Sequence, residues 1–221
     1  MLRAVAFDLD ETLALTASDR EALLRTAAKE ADVPFTFDRQ DYRDAHREHS
    51  GTESRRPVFD ALVDGDADAI THAYREAIGG ALEPAADAVE TVADLRERYH
   101  IGLLTDGPDE TQRDKLRRLG WTDHFDAVVV TGAIGAPKPD RDAFATLCEK
   151  LGTEPGETAY VGDDPERDVA GAAAAGLLPI QVLYDGGPDV HPAAAGTIRR
   201  TELATLPAVL EEVGGDGADD A

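Results

Sequence analysis

The chain has 221 residues, with 45 acidic side chains against 22 basic ones and a formal net charge of -23. That balance argues against nucleic acid or an anionic membrane as partner, because both require a basic surface. Its one cysteine, Cys148, excludes an internal disulfide and any cysteine-based zinc site.

No apolar run approaches the ~18 residues of a membrane span, and no signal peptide is visible. A cytoplasmic protein, monomer or homodimer, is expected. Lysine is scarce, with Lys29, Lys115, Lys138 and Lys150 alone, and arginine supplies the remaining positive charge. So many exposed carboxylates repel one another at low ionic strength. Concentrated salt relieves this, since the Debye length falls to about 3 Å at 1 M. A halophilic origin is therefore expected.

The first strand is "RAVAF" (3–7), and it runs into Asp8, Asp10 and Thr12. Residues 16 to 82 then contain no convincing strand. Ser18 with Glu21 reads as a capping box opening a helix to Ala31. Helical segments near 39–50, 54–64 and 67–78 follow. An all-helical insert over 16–82 reads as a second small domain, hinged near Leu15 and near "GGALEP" (79–84). The remaining elements alternate. Strand "HIGLLT" (100–105) precedes a helix over 109–119, where Asp109 and Gln112 resemble another capping box. Strand "FDAVVV" (125–130) precedes a helix over 141–151 ending at Gly152. Strand "TAYVG" (158–162) precedes a helix with Pro165 in its first turn, and strand "LLPIQVL" (177–183) follows. A last helix spans 202–212, and the tail 214–221 reads as disordered. Alternation of this kind specifies an α/β fold with a mostly parallel, Rossmann-like sheet, its core domain formed by 1–15 and 83–213.

In such sheets, ligands bind at the carboxyl ends of the strands. After the first strand come Asp8, Asp10 and Thr12; after the second, Thr105 and Asp106. Beyond the third, in a loop, lies Lys138; after the fourth come Asp163, Asp164 and Asp168. Each alone has an ordinary structural reading: a solvated turn, a surface lysine, or a helix cap, as for Asp109, Asp140 and Asp164. Their occurrence in order at successive strand ends is what points to a site.

This order resembles the haloacid dehalogenase-like (HAD) hydrolase superfamily over residues 3–183. Motif one, DxDx[TV], is matched by Asp8-Leu9-Asp10-Glu11-Thr12. Motif two is matched by Thr105 in "LLTDG", motif three by Lys138 in "PKPD", and motif four by "GDDPERD". The insert occupies the place of that family's helical cap, between motifs one and two. Glu11 stands where the family often has Gly, and Asp106 where many members have Asn.

The resemblance implies a Mg2+-dependent phosphatase acting on a small phosphorylated metabolite, of phosphoglycolate or sugar phosphate type. Asp8 and Asp163 would hold the metal by side chains and Asp10 by its backbone carbonyl, with Asp168 or Asp164 nearby. Asp8 would attack phosphorus to form an aspartyl phosphate, and Asp10 would serve as acid and then base. Thr105 and Lys138 would hold the phosphoryl oxygens. Asp10 separates the phosphatases from haloacid dehalogenases, which need no acid for a halide leaving group. A phosphomutase of the same fold, a haloacid dehalogenase and a catalytically silent binding protein remain alternatives. For substrate recognition, Arg43 and Arg47 share a helix face with Arg39, beside a face carrying Tyr42, His46 and His49, and Arg55 and Arg56 follow. Arg43, Arg47, Asp106 and Gly107 are the candidate substrate contacts.

Overall fold

The computed structural model describes residues 1–49 and 54–215. Strand β1 (Ala4–Phe7) lies buried along its whole length, as expected of a parallel strand covered on both faces. A short strand β2 (Ala14–Thr16) leads into helices α1 (Arg20–Glu30), α2 (Arg39–His49), α3 (Arg56–Asp60) and α4 (Ala67–Gly80). Strand β3 (Leu82–Pro84) returns antiparallel to β2. Then follow α5 (Ala88–Leu95), β4 (His100–Thr105), α6 (Asp109–Arg118), β5 (Ala127–Val130), the single turn α7 (Thr131–Ile134) and α8 (Arg141–Leu151). The chain ends with β6 (Thr158–Gly162), a wide helical turn over Pro165–Ala170, α9 (Gly171–Ala175), β7 (Leu178–Leu183), β8 (Gly196–Arg199) and α10 (Leu206–Gly215).

The six-stranded sheet has the order β5-β4-β1-β6-β7-β8, and every neighbouring pair is parallel. Phe7 sits opposite both Leu103 and Val161, so the residues after β1, β4 and β6 emerge along one edge. Val5, Phe7, Leu103 and Val161 face one core layer; Ala4, Ala6, Leu104 and Tyr160 face the other, under Phe144 and Leu147 of α8.

The helices between β2 and β3 build a separate core. Leu24, Ala27, Val58, Phe59, Ile70 and Tyr74 are its fully buried members. Ion pairs from α4 to α6, Arg118–Glu76 and Arg75–Glu110, tie this unit to the sheet layer. Among the described residues, no helix is long and apolar enough to cross a membrane.

Several expectations need correction. The α1 cap is Asp19, not Ser18: its carboxylate accepts from the Glu21 amide at 2.9 Å. Asp109 caps nothing; Pro108 takes that position, and Asp109 pairs with Arg113. Asp140 and Asp164 do cap their helices. Strands β2, β3 and β8 were not foreseen, being three or four residues long with little apolar pattern. Residues 214 and 215 finish α10 rather than opening the tail. The rest of the tail, and position 50, where the second helix was expected to end, lie outside the described residues.

Phe59 is wholly buried in the insert core. Phe59→Ala is expected to cost about 3–5 kcal/mol, read as a lower urea midpoint for the insert. A loss below about 1 kcal/mol, the range of surface changes, would contradict an independent core there.

Candidate active site

The loops at the carboxyl edge of the sheet converge on Lys138. Its ammonium, only 5% exposed as a residue, donates to Asp8 Oδ1 at 2.8 Å and to Asp168 Oδ1 at 2.6 Å. It also contacts the Tyr160 hydroxyl at 3.1 Å, which itself donates to the Leu104 carbonyl. Burial lowers the proton affinity of Lys138; Asp168 and Asp8 outweigh it and hold the lysine protonated.

Asp168 reaches inward because β6 ends in glycine. A Cβ at Gly162 would lie 2.5 Å from the Asp168 carboxyl carbon, so any larger residue would displace it. The other Asp168 oxygen accepts from the Asp164 amide at 2.9 Å. Asp164 accepts from the Glu166 and Arg167 amides and pairs with the Arg167 guanidinium at 2.8 Å. Its carboxylate is therefore committed to that turn.

Carboxylate oxygens of Asp8, Asp163 and Asp168 lie within 4.8 Å of one another. One ammonium faces three carboxylates, which leaves two unbalanced negative charges. Asp8 shows the result. Burial pushes its carboxyl well above the ordinary range, and Asp168 adds to this against the pull of Lys138. Asp163 is pushed up to about 7 by burial, then by Asp168. The excess equals the charge of a divalent cation, and all donors are hard oxygens. The residues present therefore fit Mg2+.

Asp10 is held apart from this cluster. Lys115 Nζ lies 2.6 Å from both of its carboxylate oxygens, and Gln112 Nε2 donates at 2.9 Å. Burial would raise the Asp10 carboxyl, but Lys115 and Gln112 hold it below its ordinary value. Gln112 also donates to the Thr105 hydroxyl at 2.8 Å, joining two of the expected site residues. Asp106 is engaged internally: it accepts from the Lys138 amide at 3.0 Å and pairs with Arg167 at 3.6 Å. Gly107 adopts φ 131°, a conformation open to glycine, and its amide donates to the Thr131 hydroxyl.

These groups floor a cavity of about 490 Å³ whose opposite wall comes from the helical unit. Asp8, Asp10, Thr105, Asp106, Gly107, Lys138, Asp163 and Asp168 all line it. Arg43 and Arg47 do not. Both are exposed on α2, bonded to Gln40 and Asp44 respectively. The shared helix face was real, but it points outward, because Tyr42 and Ala45 take the buried side. Arg20, His46 and Arg55 line the cavity instead. Gln112, Lys115 and Arg20 were not foreseen as site residues. For the first two the one signal was a Gln and a Lys three residues apart on a helix that follows a site strand.

A parallel sheet with paired aspartates after its central strand, a buried lysine and further acids defines an aspartate-based α/β hydrolase. The chain belongs to the haloacid dehalogenase-like hydrolases, whose family pattern matches residues 2–176. It is 32% identical over 206 residues to a ribulose-1,5-bisphosphate 5-phosphatase of Halopiger xanaduensis, covering 84% of this chain and 85% of that one. It is 30% identical over 208 residues to a glyceraldehyde 3-phosphate phosphatase of Methanopyrus kandleri, covering 87% and 88%. The crystal structure of a HAD phosphatase from Thermococcus onnurineus superposes with a TM-score of 0.72 at 25% identity, covering 95% of this chain and 98% of that one.

The raised Asp163 carboxyl has a consequence for stability. A group raised from 3.8 to about 7 stabilises the fold below its unfolded value and loses that contribution as pH rises through 7. Metal-free Asp163→Asn should therefore melt higher than metal-free wild type at pH 8. Mg2+ at a hundredfold excess over Kd should raise the wild-type Tm by roughly 5–10 °C and the variant's far less. Equal Mg2+ shifts in both proteins would remove Asp163 from the metal site.

Proposed function

We propose that the protein is a Mg2+-dependent phosphatase of small phosphorylated metabolites, with Asp8 as nucleophile and Asp10 as acid and base. One observation carries this reading. Two carboxylates two residues apart are given separate counter-charges, Lys138 for Asp8 and Lys115 for Asp10, so one can attack while the other handles protons. A halide leaving group would need no proton from Asp10.

Asp8 and Asp163 would hold the metal, with Asp10 contributing its carbonyl and Asp168 close by; when bound, it supplies positive charge toward the phosphoryl oxygens. A carboxylate oxygen of Asp8 attacks phosphorus, and the bond from phosphorus to the leaving oxygen breaks. Asp10 gives its proton to that oxygen. The approach of a phosphate dianion raises the proton affinity of Asp10, which Lys115 and Gln112 otherwise hold ionised. Ionised again, Asp10 takes a proton from water. The water oxygen attacks phosphorus and frees Asp8. Thr105, fixed by Gln112, offers its hydroxyl to the phosphoryl group. Lys138 pulls the Asp8 carboxyl back toward its ionised form, against burial and Asp168, and supplies charge to the transition state.

The helical unit acts, in this reading, as a cap that closes over the leaving group and excludes bulk water. A cavity of about 490 Å³ suits a small metabolite rather than a folded phosphoprotein. The relatives' names, phosphatases of a sugar bisphosphate and of a triose phosphate, support the same substrate class. A salt-rich cytoplasm is the proposed setting, supported by the charge of -23.

With Mg2+ in concentrated KCl, the protein is expected to hydrolyse an aryl phosphate. Asp8→Asn should cut turnover by at least about a thousandfold, with the circular dichroism unchanged. Asp10→Asn should cost about 10²–10⁴-fold on an alkyl phosphate and less on the aryl ester, whose leaving group needs no proton. Undiminished activity in Asp8→Asn would sink the mechanism. Thermal unfolding followed from low to multimolar KCl should show a rising Tm. A flat or falling Tm would contradict the salt-adapted reading.

A further inference from the structure

The wall of the cavity facing Asp8 and Asp10 carries charge of the opposite sign. Arg20, at the start of α1, and Arg55, just before α3, project from the helical unit into the same space as the catalytic carboxylates. Their placement is built rather than incidental. Arg20 Nη1 donates to the Tyr74 hydroxyl at 2.9 Å, and Arg55 Nη1 donates to the Tyr42 hydroxyl at 2.6 Å. Tyr42 and Tyr74 are core residues of the insert, their rings 5.4 Å apart, so both phenols are rigid anchors. The Arg55 guanidinium also lies 5.8 Å from the Tyr74 ring centroid.

Neither arginine has a carboxylate within ion-pair distance among the described residues; their partners are neutral phenols. This is unusual in a chain with twice as many acids as bases. Arg167, the remaining arginine of the cavity, is taken by Asp164 and Asp106. Arg55 keeps a buried Nε without a partner among the described residues. The local field is strong enough to act on the neighbours. His46, beside them, is pushed down to about 4 by burial and then by Arg55 and Arg20. It is therefore neutral at physiological pH and adds no third positive charge. Two fixed guanidinium forks, partly desolvated and with Asp10 near Arg55 but beyond ion-pair distance, match a carboxylate or a phosphate group.

We propose that Arg20 and Arg55, anchored by Tyr74 and Tyr42, form a subsite for a second anionic group on the leaving side of the substrate. This rests on the phosphatase reading and narrows it: the substrate is a phosphate monoester that also bears a carboxylate or a second phosphate. The two relatives differ on this point. A ribulose bisphosphate carries a second phosphate, whereas glyceraldehyde 3-phosphate has no anion beyond the one removed.

The test compares kcat/KM, with Mg2+ in concentrated KCl, for three probes. Glycerol phosphate has an uncharged remainder, phosphoglycerate adds a carboxylate, and a sugar bisphosphate adds a phosphate. Wild type should favour at least one of the latter two over glycerol phosphate by about tenfold or more. Arg20→Gln and Arg55→Gln should each reduce that preference about tenfold, mainly through KM, with a much smaller loss on glycerol phosphate. Arg47→Ala, which removes an exposed charge of the same unit, should keep the preference. Which probe shows the effect identifies carboxylate or phosphate. Unfolding curves accompany each variant; if Arg55→Gln loses the insert, Arg20→Gln alone decides. Equal rates on all three probes, or a preference surviving in the folded glutamine variants, would overturn the subsite while leaving the phosphatase standing. Failure to hydrolyse even an aryl phosphate would reject the phosphatase and the subsite with it.

Discussion

One buried ammonium between two carboxylates organises this molecule. Lys138 comes from the loop beyond β5, Asp8 from the end of β1 and Asp168 from the turn after β6. None of these segments could hold a charge in that position alone, since an unpaired buried ion costs several kcal/mol. Together they fix the spacing of the loops at the carboxyl edge of the sheet. Tyr160 and the bare α-carbon of Gly162 complete the arrangement, the first by fastening Lys138 to β4 through the Leu104 carbonyl, the second by making room for Asp168. The remaining negative charge is a deliberate excess. It penalises the metal-free site and favours a divalent cation there.

The two cores divide the electrostatic labour. The sheet contributes an acidic floor, while the helical unit contributes guanidinium groups held on phenols. A substrate with anions at both ends would be drawn into register between them, the phosphoryl group toward the metal and Lys138, the other end toward Arg20 and Arg55. Movement of the helical unit would change the distance between these charges without disturbing either core. Both connections between the two cores pass through the antiparallel β2–β3 pair.

Much of the sheet was legible in the sequence. Buried parallel strands are short, uninterrupted apolar runs, and "AVAF", "IGLLT" and "TAYV" carry that pattern without ambiguity. Strands β2, β3 and β8 escaped because their pairing, not their composition, makes them strands. The floor of the site was legible for the same reason: a residue that follows a buried strand must emerge at the sheet edge, so Asp8, Thr105 and Asp163 could be aligned by counting.

The wall was legible only in part, through His46 and Arg55. Arg39, Arg43 and Arg47 do share a helix face, but periodicity fixes only which residues lie together, not which face meets the site. Packing of Tyr42 and Ala45 turned that face to solvent. Arg20 and Arg55 lie far apart in the chain and meet only because Tyr42 and Tyr74 pack together. Gln112 and Lys115 likewise reach Asp10 across about a hundred residues of chain, through contacts that no local pattern encodes. The sequence by itself determined five of the six strands of the main sheet, their order of motifs and the acidic identity of the centre, because strand ends are set by local alternation of apolar runs and loops. Only the tertiary structure decided which cations face those acids, because a long side chain's partner depends on how two separately packed cores are brought together.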